Sequence, residues 1–118
     1  MRVGPALILA AALAACTTAT PRLAPPAPAT LAAVHGLAPH SCNPTTASVL
    51  DPLGVPPAAV RSIYYERPPT GSSHGTPAVG YTAWVRLADQ PGDLVIRHDD
   101  WCGFITSYTV GAVRLGPR

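Results

Sequence analysis

Three runs near the C-terminal end limit what this chain can fold into: YTAWVRLA (Tyr81–Ala88), LVIRH (Leu94–His98) and CGFITSYTV (Cys102–Val110). They alternate apolar with polar residues or are rich in β-branched and aromatic ones, as half-buried strands are. Only DQPGD separates the first two runs, and only DDW separates the second and third. Gaps that short hold hairpin turns, whereas parallel neighbours need a crossover of a dozen or more residues. An antiparallel meander is therefore expected. A register that pairs Asp89 with Leu94, Leu87 with Ile96 and Val85 with His98 puts Tyr81, Ala83, Val85, Leu87, Leu94 and Ile96 on one face. A slip of one residue would mix apolar and charged side chains on both faces. The same register sets Arg86 opposite Arg97 on the other face, with Trp84 two residues along. Like charges directly opposite destabilise a sheet unless acidic groups, a stacked Trp or an anionic partner compensates. Trp84, Arg86 and Arg97 are therefore the candidate partner-binding residues.

A three-stranded meander needs cover for its apolar face. Val60–Arg67 is rich in β-branched and aromatic residues and reads as an earlier strand, with a helical start at Pro57 as the competing reading. Asn43 as N-cap and Pro44 at the first helical position begin a short helix that runs to Asp51 and is stopped by Pro52. The expected fold class is thus α+β or mainly β, a small antiparallel sheet with a short helical segment. Thr70–Gly80 is a loop by composition. It contains GSSHG, which matches the G-x-S-x-G pattern of a hydrolase nucleophile elbow. Pro68-Pro69 before it and Thr76-Pro77 after it leave no strand–turn–helix to present Ser73, so no catalytic residue is assigned.

The chain opens differently. Arg2 precedes an apolar run from Ala6 to Ala15, too short for a permanent span, which needs about 20 apolar residues. It has the form of a secretory signal. Leu13-Ala14-Ala15-Cys16 resembles the lipobox of bacterial lipoproteins. The resemblance implies a signal peptide over residues 1–15, cleavage before Cys16, and acylation of Cys16. Two or more chains anchor stably, at about 0.8 kcal/mol per buried methylene. Thr17, rather than Asp, follows Cys16. By the sorting rule of enteric lipoproteins this favours the outer membrane, facing the periplasm, over the inner membrane or a Gram-positive surface. Residues 16–40 form a Pro/Ala/Thr-rich tether, and the globular domain is expected over 41–118. Leu31–His40 fits either the tether or one short helix capped by Thr30 and ending at Gly36.

Once Cys16 is acylated, Cys42 and Cys102 are the only cysteines left. In an oxidising compartment they are expected to pair as one disulfide. The HDDWC stretch (His98–Cys102) holds metal-ligand types, but neighbouring strand residues point to opposite faces and Cys102 is claimed by Cys42, so no metal and no cofactor are expected. All eight basic residues are arginine, and from Cys16 onward seven Arg meet six Asp or Glu. A nearly neutral chain with no basic face gives no grip on nucleic acid.

The resulting expectation is a non-enzymatic, membrane-anchored accessory or protein-binding module whose partner is another envelope protein. A short helical start followed by a meander is similar in element order to small accessory lipoproteins of the outer-membrane barrel-assembly machinery, a likeness of fold alone. Two other classes stand beside it. One is a small hydrolase or metal-binding protein using His74, His98 and the aspartates. The other is an apolar-ligand carrier with Tyr64, Tyr65, Tyr81 and Trp101 around a pocket.

Overall fold

The structure, a computed structural model, describes residues 23–67 and 80–115. The expected signal peptide (residues 1–15), Cys16, Ser73 and His74 lie outside the described residues. The elements run α1 (Pro28–Leu37), α2 (Asn43–Leu50), a 3-10 turn (Pro57–Ala59), β1 (Val60–Glu66), β2 (Tyr81–Leu87), β3 (Asp93–His98) and β4 (Phe104–Val110). The strands form one antiparallel sheet in the order β1-β2-β3-β4. This is the expected α+β fold: three C-terminal strands, one earlier strand, and helical cover. No helix among the described residues is long and apolar enough to cross a membrane.

The packed body starts earlier than residue 41. Residues 28–37, which were expected to be tether or a helix capped at Thr30, form α1, with Thr30 and Val34 buried. Pro28 suits the first turn, where an N–H has no helical partner. Thr30 lies inside the helix, and the first turn is capped from elsewhere. The Asp51 carboxylate accepts from the Ala27 amide at 2.7 Å and from the Thr30 hydroxyl at 2.6 Å. A negative charge there also meets the positive end of the helix dipole. Asn43 is likewise not the N-cap of α2. That position belongs to Cys42, and Asn43 turns inward, fully buried.

Both helices bury apolar residues against one face of the sheet. Val34, Ala47 and Leu50 pack with Ile63, Ala83, Val85, Leu87, Leu94 and Ile96 in a single core. The apolar face read from the alternation is therefore the buried one, but its register is different. Val85 pairs with Leu94, not His98, and Ala83 pairs with Ile96. The offset is four residues (98 − 94), an even number, so every side chain keeps its face. Arg86 consequently opposes Asp93, and Arg97 opposes Thr82. The expected confrontation of Arg86 with Arg97 does not occur.

Two glycines hold the hairpins in place. Gly92 has φ +91°, and a Cβ there would strike the Val110 carbonyl across the sheet. Gly80 has φ +89°, and its Cβ would run into the His98 carbonyl. Only a residue without a Cβ adopts that conformation at that distance without strain. In the β3–β4 turn Asp99 Oδ1 accepts from the amides of Trp101 (2.8 Å) and Gly103 (2.7 Å). Asp100 instead reaches out, accepting from the Gly80 amide at 2.7 Å and facing Arg67 at 3.2 Å. Cys102 follows at φ +65° and is joined to Cys42, with 4.9 Å between their Cα atoms. The bridge ties the start of α2 to this turn.

Candidate functional site

The helices occupy one face of the sheet, and the other face carries the candidate site. Strand alternation puts Ser62, Tyr64 and Glu66 of β1 on that outer face, with Thr82, Trp84 and Arg86 of β2, Asp93, Val95 and Arg97 of β3, and Thr106, Tyr108 and Val110 of β4. The pairing aligns Tyr64, Trp84, Val95 and Tyr108 in one row across all four strands. Tyr64 is 65% exposed and Tyr108 47% exposed. Trp84 is partly buried, and Val95, between the Trp84 and Tyr108 positions, is fully buried. Directly opposed aromatic and β-branched residues stabilise a sheet by roughly 0.2–1 kcal/mol per pair. The row thus holds its own geometry while presenting ring surface.

Charges flank the row on both sides. Arg86 Nε donates to Asp93 Oδ1 at 3.1 Å, directly across the strand pair. On the other side the Trp84 indole N–H donates to Glu66 Oε1 at 2.9 Å. Both carboxylates are thus engaged, and this orients the groups they hold. Arg61, Ser62, Tyr64, Trp84, Arg86 and Asp93 line an open concavity of about 490 Å³ at the β1–β2 end of the face. Arg61 and Arg97 are exposed, and no ion pair holds either of them among the described residues.

Of the candidate residues, Trp84, Arg86 and Arg97 do share the outer face, as expected. Their relation differs, because Arg86 is paired with Asp93 and Arg97 stands free of it. Arg61, Glu66, Asp93 and Tyr108 belong to the same surface and were not singled out, and Tyr64, expected around an apolar pocket, lies on it as well. The signal for Tyr64 and Tyr108 was available as strand parity, had β1 and β4 been placed in register with β2 and β3.

The four aromatics expected around an apolar pocket are scattered. Tyr64 faces outward, and Trp101 is 88% exposed in the β3–β4 turn. Tyr65 and Tyr81 lie by the other face, where His40 stacks on Tyr65 at 3.8 Å and meets Tyr81 edge-on at 4.8 Å. Beneath that stack is a buried polar cluster. Tyr65 donates to Asn43 Oδ1 at 2.7 Å and lies 2.7 Å from Thr46 Oγ1. Asn43 Nδ2 donates to the Ala38 carbonyl at 2.7 Å and lies 2.9 Å from His35 Nδ1. The Tyr81 carbonyl can only accept, so His98 Nδ1 carries the proton toward it at 3.2 Å, and neutral Nε2 faces the Thr46 hydroxyl at 3.0 Å. No buried side-chain polar atom among the described residues lacks a partner. The cluster therefore joins α2 to the strands as a structural knot. Among the described residues no three His, Cys, Asp or Glu side chains converge in a metal-binding arrangement.

Burial sets the ionisation of this cluster. It pushes the Tyr65 phenol up to about 12, against a smaller opposing effect of the Thr46 hydrogen bond. Desolvation lowers the His98 pKa below 6.5, His40 adds to the lowering, and the Tyr81 carbonyl and Asp99 oppose it. His40 is lowered by burial too. Both imidazoles thus bind a proton less readily when folded. Just below pH 6.5 the unfolded chain holds more protons, so stability is full above that pH and falls as pH drops through it. Denaturant titrations at pH 8 and pH 5.5 are expected to show this loss, and His98→Gln is expected to reduce it. An equal loss in the variant would mean His98 is not a source.

Comparison with protein-family models, with curated proteins and with solved structures finds no match to this chain.

Proposed function

We propose that this protein is a lipid-anchored component of the cell envelope whose folded body binds another envelope protein and carries out no chemistry itself. The anchor reading rests on Leu13-Ala14-Ala15-Cys16 and the apolar run before it. A disulfide between Cys42 and Cys102 fits an oxidising compartment. Thr17 after Cys16 favours the outer membrane, with the domain in the periplasm.

The observation that carries the binding role is the row of Tyr64, Trp84 and Tyr108 across the sheet face away from the helices. Aromatic residues and arginine are enriched where proteins meet, and tyrosine and tryptophan give large contact area at small entropic cost. Arg61 and Arg97 give the face positive groups beside the rings, which suits a partner segment carrying carboxylates. The held pairs Arg86–Asp93 and Trp84–Glu66 keep the surface ordered before a partner arrives.

The face is tested in cells by chemical crosslinking of the native chain and of the variants Trp84→Ala and Arg97→Glu. The crosslinked partner is expected to be lost or reduced at least tenfold in Trp84→Ala, and weakened in Arg97→Glu. An unchanged crosslinking pattern in both variants would remove this face as the binding site. Intact mass of the detergent-extracted protein tests the anchor separately: acyl mass on a chain that starts at Cys16 is expected, and a chain with no acyl addition contradicts it.

A further inference from the structure

The two edges of the sheet are built differently, and one of them lacks the usual defences. At the β1 edge, Pro56 and Pro57 precede the strand, and the β1–β2 register shifts between Val60 and Ser62. Arg61 and Glu66 lie on β1, and Arg67 follows directly after it. Proline, irregularity and charge are the devices by which proteins keep edge strands from pairing. β4 (FITSYTV) has no charged residue and no proline. Its one irregularity lies at its start, where the register against β3 shifts between Phe104 and Thr106. Thr106–Val110 is then five residues of regular strand, with Tyr108 47% and Val110 44% exposed. Among the described residues no strand pairs with the outer side of β4, a neutral strand of high β-propensity whose edge backbone groups face away from β3.

We propose that β4 pairs with β4 of a second copy of this chain, antiparallel about a two-fold axis at Tyr108, to give a continuous eight-stranded sheet. The neutrality of β4, which lets it face itself without like charges meeting, and the defended β1 edges favour a second copy over a foreign strand. The regular segment is centred on Tyr108, so the axis pairs Thr106 with Val110, Ser107 with Thr109 and Tyr108 with itself, using all five regular residues. Every one of these is a β-former or a Ser–Thr match, and no like charges meet. The same axis joins the two outer rows. Tyr64, Trp84, Val95 and Tyr108 continue into Tyr108, Val95, Trp84 and Tyr64 of the second copy, so the ring-bearing surface doubles without a break. Self-pairing of this kind is isologous, and it closes as a dimer because the β1 edges at its two ends are defended. The inference does not depend on which protein the outer face binds.

Residues directly opposite in an antiparallel pair have Cα atoms about 4.5–5.5 Å apart, which is within disulfide reach. The experiment introduces Tyr108→Cys into the full chain and oxidises it mildly in cells, with the native chain and Tyr64→Cys in parallel. In the proposed sheet the two Tyr64 positions lie seven strand spacings apart, on the order of 30 Å. A disulfide-linked dimer is expected from Tyr108→Cys, and none above the native background from Tyr64→Cys. Tyr108→Lys, which sets two ammonium groups face to face, is expected to sediment as a monomer after extraction where the native chain sediments as a dimer. No Tyr108 crosslink, equal crosslinking at Tyr64, a monomeric native chain, or a dimer that survives Tyr108→Lys would each overturn the proposal.

Discussion

Removing the Cys42–Cys102 bridge, by reduction or by the double substitution Cys42→Ser/Cys102→Ser, is expected to lower stability by about 4 kcal/mol. The bridge closes a loop across a sequence separation of 60 residues. In the chain-entropy account that closure removes unfolded conformations whose loss the folded chain has already suffered. The structure adds local reasons. Cys42 is the N-cap of α2, and the Thr45 hydroxyl donates to the Cys102 carbonyl at 2.7 Å, so the bridge also positions the first turn of α2 against the β3–β4 turn. Small domains have total stabilities of roughly 5–15 kcal/mol, so a loss of this size leaves little margin at 37 °C. The check is a urea titration of oxidised and reduced protein. Coincident midpoints would show that the bridge contributes nothing.

The second large effect is expected at Asn43. Its side chain is fully buried and has three partners: the Ala38 carbonyl, the Tyr65 hydroxyl and the His35 ring. Asn43→Ala leaves the Ala38 carbonyl without its side-chain partner and takes one of two partners from the Tyr65 hydroxyl, which keeps Thr46. A buried polar group left without its partner costs about 1–3 kcal/mol, so the substitution is expected to cost about 2 kcal/mol. Asn43→Asp is expected to be at least as damaging, because the carboxylate cannot donate to the Ala38 carbonyl and its charge would be buried. Tyr64→Phe serves as a reference. Tyr64 is exposed on the outer face, and its change is expected to fall within about 0.5 kcal/mol. Urea midpoints at constant slope decide the matter, and an Asn43→Ala midpoint equal to that of Tyr64→Phe would contradict the account.

Much of this architecture was legible in the sequence because it follows from periodicity. Alternation in Tyr81–Leu87 and Asp93–His98 shows which side chains go inward, since burial selects between two faces. It does not select between registers that differ by an even number of residues. Pairing Val85 with His98 or with Leu94 buries the same set. What decides is the turn: Ala88–Gly92 forms the connection, Gly92 takes a left-handed conformation, and Arg86 closes the hairpin on Asp93. The ion pair was therefore hidden behind an apparent clash of arginines. Helix α1 was only half legible for another reason. Ala, Pro and Thr over Leu23–Thr30 read as tether, and the carboxylate that caps the helix comes from Asp51, 24 residues beyond Ala27. Local sequence does not carry so distant a cap. The inward turn of Asn43 and the stacking of His40 on Tyr65 are tertiary facts of the same kind.

The disulfide and the outer face together leave a simple division of labour. Cys42–Cys102 and the Asn43–Tyr65–His98 knot hold the helices on one side of the sheet. The other side, with Tyr64, Trp84 and Tyr108 in line and Arg61 and Arg97 beside them, is the surface proposed to meet a partner.

A photo-crosslinking side chain placed at single positions of the full chain in living cells tests this division most directly. Tyr64 and Arg97 sample the outer face, and Leu53, beside α2, samples the opposite side. The account predicts a crosslinked species of one constant mass from both outer-face positions and none from Leu53. Crosslinking from Leu53 with silence at Tyr64 and Arg97 would contradict it.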